Sequence, residues 1–282
     1  MPWQTTRFLI PLHRPQVMGI VNVTPDSFSD GGQHADAAAA RRHCDRLLQE
    51  GADILDIGGE STRPGARQPD CAEELARVLP VLRHAVTLGV PVSVDTSRPE
   101  VMQAALDLGV DIVNDVRALG RPGALPLVAG HPSCGLCLMH MQGEPGTMQR
   151  APTYAGDGVD EVLAWLRQRL AEVRAAGVAL ARITLDPGIG FGKTSLHNWA
   201  LLQRQAELLA LGQPVLVGWS RKSSLGSLTG RPVQDRLVAS VAAALASVQR
   251  GARVLRVHDV AATVDALKVW QMAGLVDGLA PG

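Results

Sequence analysis

The chain has 282 residues, 46% of them hydrophobic and 19% charged, with 27 basic residues against 27 acidic ones. Its length is near the ~250 residues of a single α/β barrel, and the balanced charge gives no whole-chain reason to expect nucleic acid or an anionic membrane surface as partner. No basic segment leading into a short apolar stretch opens the chain, and no apolar run reaches ~18 residues, so a soluble cytoplasmic protein without a membrane span is expected.

Short apolar runs alternate with longer segments of helical period. Val17 to Val23 reads as a buried strand that ends in the polar residues Asn22, Pro25, Asp26, Ser27 and Ser29, with Asp30-Gly31-Gly32 as a mobile tip and Asp36 capping a helix over 37–48. A second strand over 52–57 leads into the loop Gly58 to Gly65 and a helix over 73–88 that places Leu75, Val78, Leu79, Leu82 and Val86 on one face. Val92 to Asp95 is the third strand. Pro99 then opens a helix and Gly109 closes it. Strands over 112–115, 136–140, 183–186, 215–219 and 254–257 follow. Their helices are a short one near 123–128, then 159–173, 198–211, 237–248 and 261–272, and residues 274–282 read as a frayed tail.

Eight strand-then-helix units in one 282-residue domain predict a closed (β/α)8 TIM barrel with its active site at the C-terminal ends of the strands. The alternative is a doubly wound open sheet, which usually has fewer strands and a Gly-rich phosphate turn after the first. Here Asn22-Val-Thr-Pro25 stands in that place. Cys134 and Cys137 have redox or half-zinc-site spacing, but they run into an apparent strand, where positions three apart face opposite ways, and no second pair completes a metal site. Buried, inert thiols are expected.

The strand ends carry Asn22, Asp56, Asp95, Asn114, His140, Asp186, Lys222 and His258. Polar residues follow any buried strand because the chain must turn there, which accounts for about half of the set. Turning alone does not explain three carboxylates, two Asn, a Lys and an Arg-x-His group at one end of a barrel. Asp95, Asn114 and Asp186 suit a flat heterocycle with a cyclic amide and an exocyclic amine, because a carboxylate accepts two parallel N–H bonds and an amide both donates and accepts. Lys222 is placed to donate to a ring carbonyl, sharing a face with Ser220 by strand period, unless it closes the barrel in a salt bridge that Arg221 could equally supply. Arg256 and His258 point to one side and suit phosphate oxygens; the alternative is a His258–Asp259 pair in the core. Thr62-Arg63-Pro64-Gly65 is an exposed tip with a hydroxyl and a guanidinium, and a surface Arg is usually just solvated. The run Gly188 to Thr194 ends like a P-loop, but Pro187 stands where its first Gly is required. Its three glycines are expected to let backbone approach a ligand.

Several longer motifs together resemble the bacterial dihydropteroate synthase family, in family order over nearly the whole chain. They are Met18-Gly-Ile-Val-Asn-Val-Thr-Pro-Asp-Ser-Phe-Ser-Asp-Gly-Gly32, with Gly58-Gly-Glu-Ser-Thr-Arg-Pro-Gly65, Ser93-Val-Asp-Thr-Ser97 and Asn114-Asp115. Leu138-Met-His-Met141, Leu185-Asp-Pro-Gly188, Phe191-Gly-Lys193, Ser220-Arg-Lys-Ser223 and Arg256-Val-His-Asp259 complete the set. The resemblance implies condensation of 6-hydroxymethyl-7,8-dihydropterin diphosphate with p-aminobenzoate, giving 7,8-dihydropteroate and diphosphate for folate synthesis. It implies that Asp95, Asn114, Asp186 and Lys222 hold the pterin, with Met139 and Arg256 against its faces. Thr62, Arg63, Arg256 and His258 take the diphosphate, and Asn22 helps position Mg2+. Phe28, Pro64, Phe191 and Ser220 border the p-aminobenzoate site, where sulfonamides compete, and a homodimer is expected. The loops after the first two strands are expected to close before chemistry. A pterin-binding methyltransferase would share the Asp/Asn set but has no use for Arg63, Arg256 and His258, and a binding protein that had lost catalysis would show gaps among them.

Overall fold

The computed structural model describes residues 2–24, 32–60 and 68–276, with the backbone alone for 32–36. A short antiparallel hairpin of β1 (Trp3–Gln4) and β2 (Leu9–Ile10) precedes eight strands: β3 (Gln16–Asn22), β4 (Ile54–Gly58), β5 (Val92–Asp95), β6 (Ile112–Asp115), β7 (Gly135–Met139), β8 (Ile183–Asp186), β9 (Val215–Val217) and β10 (Ala252–Val257). All eight run parallel in sequence order, and β10 pairs back onto β3, so the sheet closes into the expected barrel. Its thinnest seam joins β8 to β9 through the pair Leu185–Val215.

Strand period sorts the side chains between two cores. Met18, Ile54, Ile112, Cys137, Leu216 and Val254 point inward and form one cluster, while Val17, Leu55, Val94, Val113, Leu138, Leu185, Val217 and Leu255 point outward into a larger cluster under the helices. The N-terminal hairpin, which the periodicity did not foretell, supplies the barrel floor. Trp3 is fully buried against the inner cluster, and its Nε1 donates to the Arg182 carbonyl at 2.9 Å.

The outer helices are α1 (Gly32–Gln49), α2 (Cys71–Ala85), α3 (Pro99–Asp107), α4 (Ala124–Gly130), α5 (Val159–Ala175), α6 (Ser195–Gln203), α7 (Ser223–Thr229), α8 (Leu237–Gln249) and α9 (Val260–Met272). α3 keeps Pro99 in its first turn, and Gly109 follows its end at φ +85°. α2 begins at a capping box in which Asp70 and Glu73 each accept the other's backbone N–H. Three expectations need correction. α1 begins at Gly32, so Asp36 lies inside it rather than capping it. The helix expected over 198–211 stops at Gln203 and tightens into a 3-10 turn over Gln205–Leu211. The seventh barrel strand ends at Val217, two residues early, and the short helix α7 follows, which was not foreseen. The tip at Asp30 and Gly31 and the tail from 277 onward lie outside the described residues.

Cys134 precedes β7 and sits in the outer cluster, whereas Cys137 lies in the inner one. Both are free, and burial pushes both thiols up, so they are inert as expected. The group that does work there is Arg182, 3% exposed. Its guanidinium donates to the carbonyls of Val128, His131 and Cys134 at 2.7–2.8 Å and thereby caps the C-terminal end of α4. Replacement by Met strands those carbonyls. Arg182→Met is expected to destabilise the protein by about 3 kcal/mol in urea unfolding, and Arg182→Lys to recover less than half of that, because one ammonium cannot reproduce the fork. A loss under about 1 kcal/mol would refute the capping role.

Candidate active site

Period two brings Asn22, Asp56, Asp95, Asn114, Met139, Asp186 and Arg256 to the inner face at the C-terminal strand ends. Arg256 organises them. Its Nε donates to Asp56 Oδ2 at 2.6 Å and its Nη2 to Asp95 Oδ2 at 2.7 Å, so one guanidinium reaches from β10 past β3 to β4 and β5. Asn114 Nδ2 donates to the same Asp56 oxygen at 3.2 Å. Asp186 accepts the Gly188 N–H at 2.7 Å, and the Lys222 ammonium lies 4.2 Å from the centre of the Phe191 ring. Below them the Asp56 Oδ1, Ser93 Oγ and Thr184 Oγ1 atoms are buried with no hydrogen-bond partner.

The charges act on one another as a single set. Burial raises the Asp95 carboxyl to about 7, Arg256 pulls it down, and Asp56, Glu60 and Asp115 push it up again. Burial also raises Asp186, against the pull of the Gly188 N–H, Lys222, Lys193 and Arg256. Lys222 falls to about 8 through burial, opposed by Asp186 and assisted by Arg256. Burial works against the Arg256 cation, but Asp56 and Asp95 outweigh it and hold the guanidinium charged. His258 is lowered to about 3 by burial and then by Arg221 and Arg256, so its ring is neutral. Ser220 Oγ accepts the His258 backbone N–H at 3.1 Å and lies 3.0 Å from His258 Nδ1. With that hydroxyl donating to Nδ1, the ring proton sits on Nε2 as a donor for an anion.

Two sequence expectations are overturned. His140 stands at a strand end but does not enter the mouth. Cys137 and Met139 face inward, so the next odd step turns His140 outward, where Lys193 Nζ meets its Nδ1 at 2.9 Å and Trp165 packs edge-on at 5.0 Å. Ser220 and Lys222 are not on a strand. They belong to a turn closed by Lys222 N–H to the Trp219 carbonyl at 3.1 Å, with Arg221 at φ +60°. Arg221 takes the barrel-closing role, bridging to Asp259 at 2.6 Å, which leaves Lys222 to the mouth and His258 unpaired with Asp259. The glycines after β8 also lie close against protein: a Cβ at Gly188 would fall 1.8 Å from the His140 carbonyl oxygen, and one at Gly190 would fall 3.0 Å from Lys222 Cδ.

Trp219 is 1% exposed and stacks on Trp199 of α6 at 5.0 Å, away from the mouth. Ser240, in the Ala239-Ser240 pair, accepts the Arg221 N–H at 2.9 Å and steadies the same turn. Phe28, Thr62, Arg63 and Pro64 lie outside the described residues. The flanks of their loop are described: Arg77 donates to the Gly59 carbonyl, Arg98 to the Pro69 carbonyl, and Arg117 pairs with Glu60. Sequence inspection missed Asp56 as the holder of Arg256 and missed buried Glu74, which meets Thr96 and Arg98. An inward-facing Asp one strand from Asp95 was the available signal for the first. Glu74, on an amphipathic helix, gave none.

A profile of pterin binding enzymes matches residues 18–258. The chain is 56% identical over 279 residues to a dihydropteroate synthase of Neisseria meningitidis serogroup B, covering 97% of this chain and 98% of that one. Among solved structures it is similar to the Xanthomonas albilineans dihydropteroate synthase with 4-aminobenzoic acid, with a TM-score of 0.91 and 50% identity over 98% of this chain and 100% of that one. It is also similar to the Yersinia pestis enzyme in a sulfonamide drug complex, with a TM-score of 0.91 and 44% identity over 97% and 99%. The chain belongs to the dihydropteroate synthase family of pterin binding enzymes.

Proposed function

We propose that this chain is a transferase that condenses 6-hydroxymethyl-7,8-dihydropterin diphosphate with p-aminobenzoate to give 7,8-dihydropteroate and diphosphate, in folate biosynthesis. The observation that carries this, beside the family, is that Asp95, Asn114, Asp186, Lys222 and Arg256 meet at one barrel mouth. Asp95, Asn114 and Asp186 take the N–H edge of the pterin, Lys222 donates to its carbonyl, and Met139 and Arg256 flank the ring. The Arg256 bonds to Asp56 and Asp95 leave Nη1 unused, which suits a guanidinium that also serves the diphosphate. His258 donates from Nε2, with Thr62 and Arg63 contributing from their loop. Phe191 and Ser220, with Phe28 and Pro64, border the p-aminobenzoate and the sulfonamides that would compete for its place.

The reaction breaks the bond between the pterin methylene and the diphosphate oxygen. The electron pair leaves with diphosphate, and the dihydropterin ring delocalises the positive charge. The aryl amine attacks that carbon and then loses a proton, so no strong base is required. Arg256 and His258 stabilise the departing charge. Asp95 and Asp186 bind and orient rather than abstract protons. Among the described residues no three His, Cys, Asp or Glu side chains are grouped to hold a metal. A cation here would therefore take most of its ligands from the diphosphate and water, which suits Mg2+. Asn22, half-buried at the end of β3, offers one neutral oxygen. When bound, Mg2+ would neutralise charge on the diphosphate.

We propose that the protein works in the cytoplasm; no helix among the described residues is long and apolar enough to cross a membrane. We further propose a homodimer, with Leu228 (68% exposed), Val238 (80% exposed) and Met272 (79% exposed) on α7, α8 and α9 as the apolar contact. Val238→Asp is expected to yield a monomer in sedimentation; a wild-type monomer would rule the dimer out.

Turnover of the two substrates with Mg2+, followed as dihydropteroate and diphosphate, tests the activity directly; no product would refute it. Asp95 must be ionised and Lys222 protonated to grip the pterin. Affinity for bare pterin should therefore rise with pH until the Asp95 carboxyl has lost its proton at about 7, and fall once Lys222 loses its own at about 8. Asp95→Asn should erase the acidic limb and weaken binding by about a hundredfold at the optimum, read by calorimetric titration. An unchanged profile would refute its role. Asn22→Ala should weaken Mg2+-dependent binding of the pterin diphosphate far more than binding of the bare pterin, and equal losses would remove Asn22 from the metal.

A further inference from the structure

No strand holds Lys222 in place, because β9 ends at Val217 and the chain reaches Lys222 through the turn at Arg221. Its position depends on two contacts with the turn after β8. The aliphatic stem lies against Gly190, which sits at φ +80° and where a Cβ would come 3.0 Å from Lys222 Cδ, and the ammonium rests on the Phe191 ring. Both contacts depend on how the turns after β8 and β9 are set against each other.

One buried side chain joins the two turns. Asn198 of α6 is 1% exposed. Its Oδ1 accepts the Gly190 N–H at 2.9 Å and its Nδ2 donates to Ser224 Oγ at 2.9 Å. The Gly190 N–H can only donate, which fixes the amide orientation. Ser224 is equally buried and lies two residues beyond Lys222 at the start of α7. α6 itself is fixed at its start by Thr194, whose hydroxyl accepts the His197 N–H at 3.2 Å. Asn198 is thus held by its helix, uses both halves of its amide, and touches the backbone on one side of the Lys222 stem and the helix that carries it on the other.

We propose that Asn198, acting through Ser224 and Gly190, is a positioning residue for the pterin site. It sets the Lys222 ammonium over the Phe191 ring without touching substrate. The inference rests on Lys222 being a pterin contact, and its test separates the two claims.

The test is a double-mutant cycle on affinity for bare 6-hydroxymethyl-7,8-dihydropterin, measured by calorimetry on the full chain. Asn198→Leu fills the same space but makes neither hydrogen bond, and should weaken binding about tenfold; Lys222→Met should weaken it about thirtyfold. If Asn198 works through Lys222, the double variant binds within about twofold of Lys222→Met alone. A merely structural role would give losses that multiply, and that result overturns the positioning role while leaving the site assignment intact. Unchanged affinity in Asn198→Leu overturns it as well. Unchanged affinity in Lys222→Met would instead sink the site assignment and the inference with it. If Asn198→Leu does not fold, Ser224→Ala replaces it in the cycle, with an expected loss of about threefold that vanishes beside Lys222→Met.

Discussion

The fork that Arg256 makes with Asp56 and Asp95 is the constraint on which the mouth depends. Asp56 is fully buried and Asp95 partly so, and a carboxylate pair of that kind would repel without a cation between. The guanidinium supplies it and also sets direction, since Nε and Nη2 are fixed relative to each other and each finds one acid. Asn114 is oriented in turn, because Asp56 accepts from it and its amide oxygen is thereby turned away. One side chain from the last strand thus prepares the hydrogen-bonding edge contributed by the second, third and fourth strands of the barrel.

The opposite side of the mouth is built by a different device. Asp186 comes from a strand, but Phe191 and Lys222 come from turns, and turns need external fixing. Lys193 donates to His140 Nδ1 and to the His140 and Phe191 carbonyls, so it fastens the turn after β8 to the end of β7. Gln149 donates to the Gly190 carbonyl from the loop after β7. Ser240 and the Arg221–Asp259 pair fasten the turn after β9. The side of the mouth formed by Asp56, Asp95 and Asn114 is therefore held by strands and buried charge, whereas the side carrying Phe191 and Lys222 is held by side-chain straps.

Depth along the barrel divides the labour further. The floor of the barrel is apolar, with Trp3 buried in it. Above it lies a layer with unpartnered Asp56, Ser93 and Thr184 oxygens, and above that the charged rim. Polarity thus rises toward the C-terminal strand ends, where the proposed leaving diphosphate would meet cations in a low-dielectric setting.

The amino-acid order alone determined the barrel, most strand boundaries within a residue or two, and which residues stand at the strand ends, because β-strand period and Pro/Gly punctuation are local properties. Those same rules, applied to parity, would have turned His140 away from the mouth. Tertiary structure alone decided what the turns do. Lys222 enters the mouth through a left-handed residue at Arg221, and the glycines after β8 make room for a neighbouring strand's carbonyl and a lysine stem. Glu74 and Asn198 become buried connectors although nothing in their neighbouring residues marks them. Such placements come from pairings far apart in the chain, such as Arg256 with Asp56 and Trp3 with Arg182. No local periodicity encodes a contact between segments that meet only once the barrel has closed.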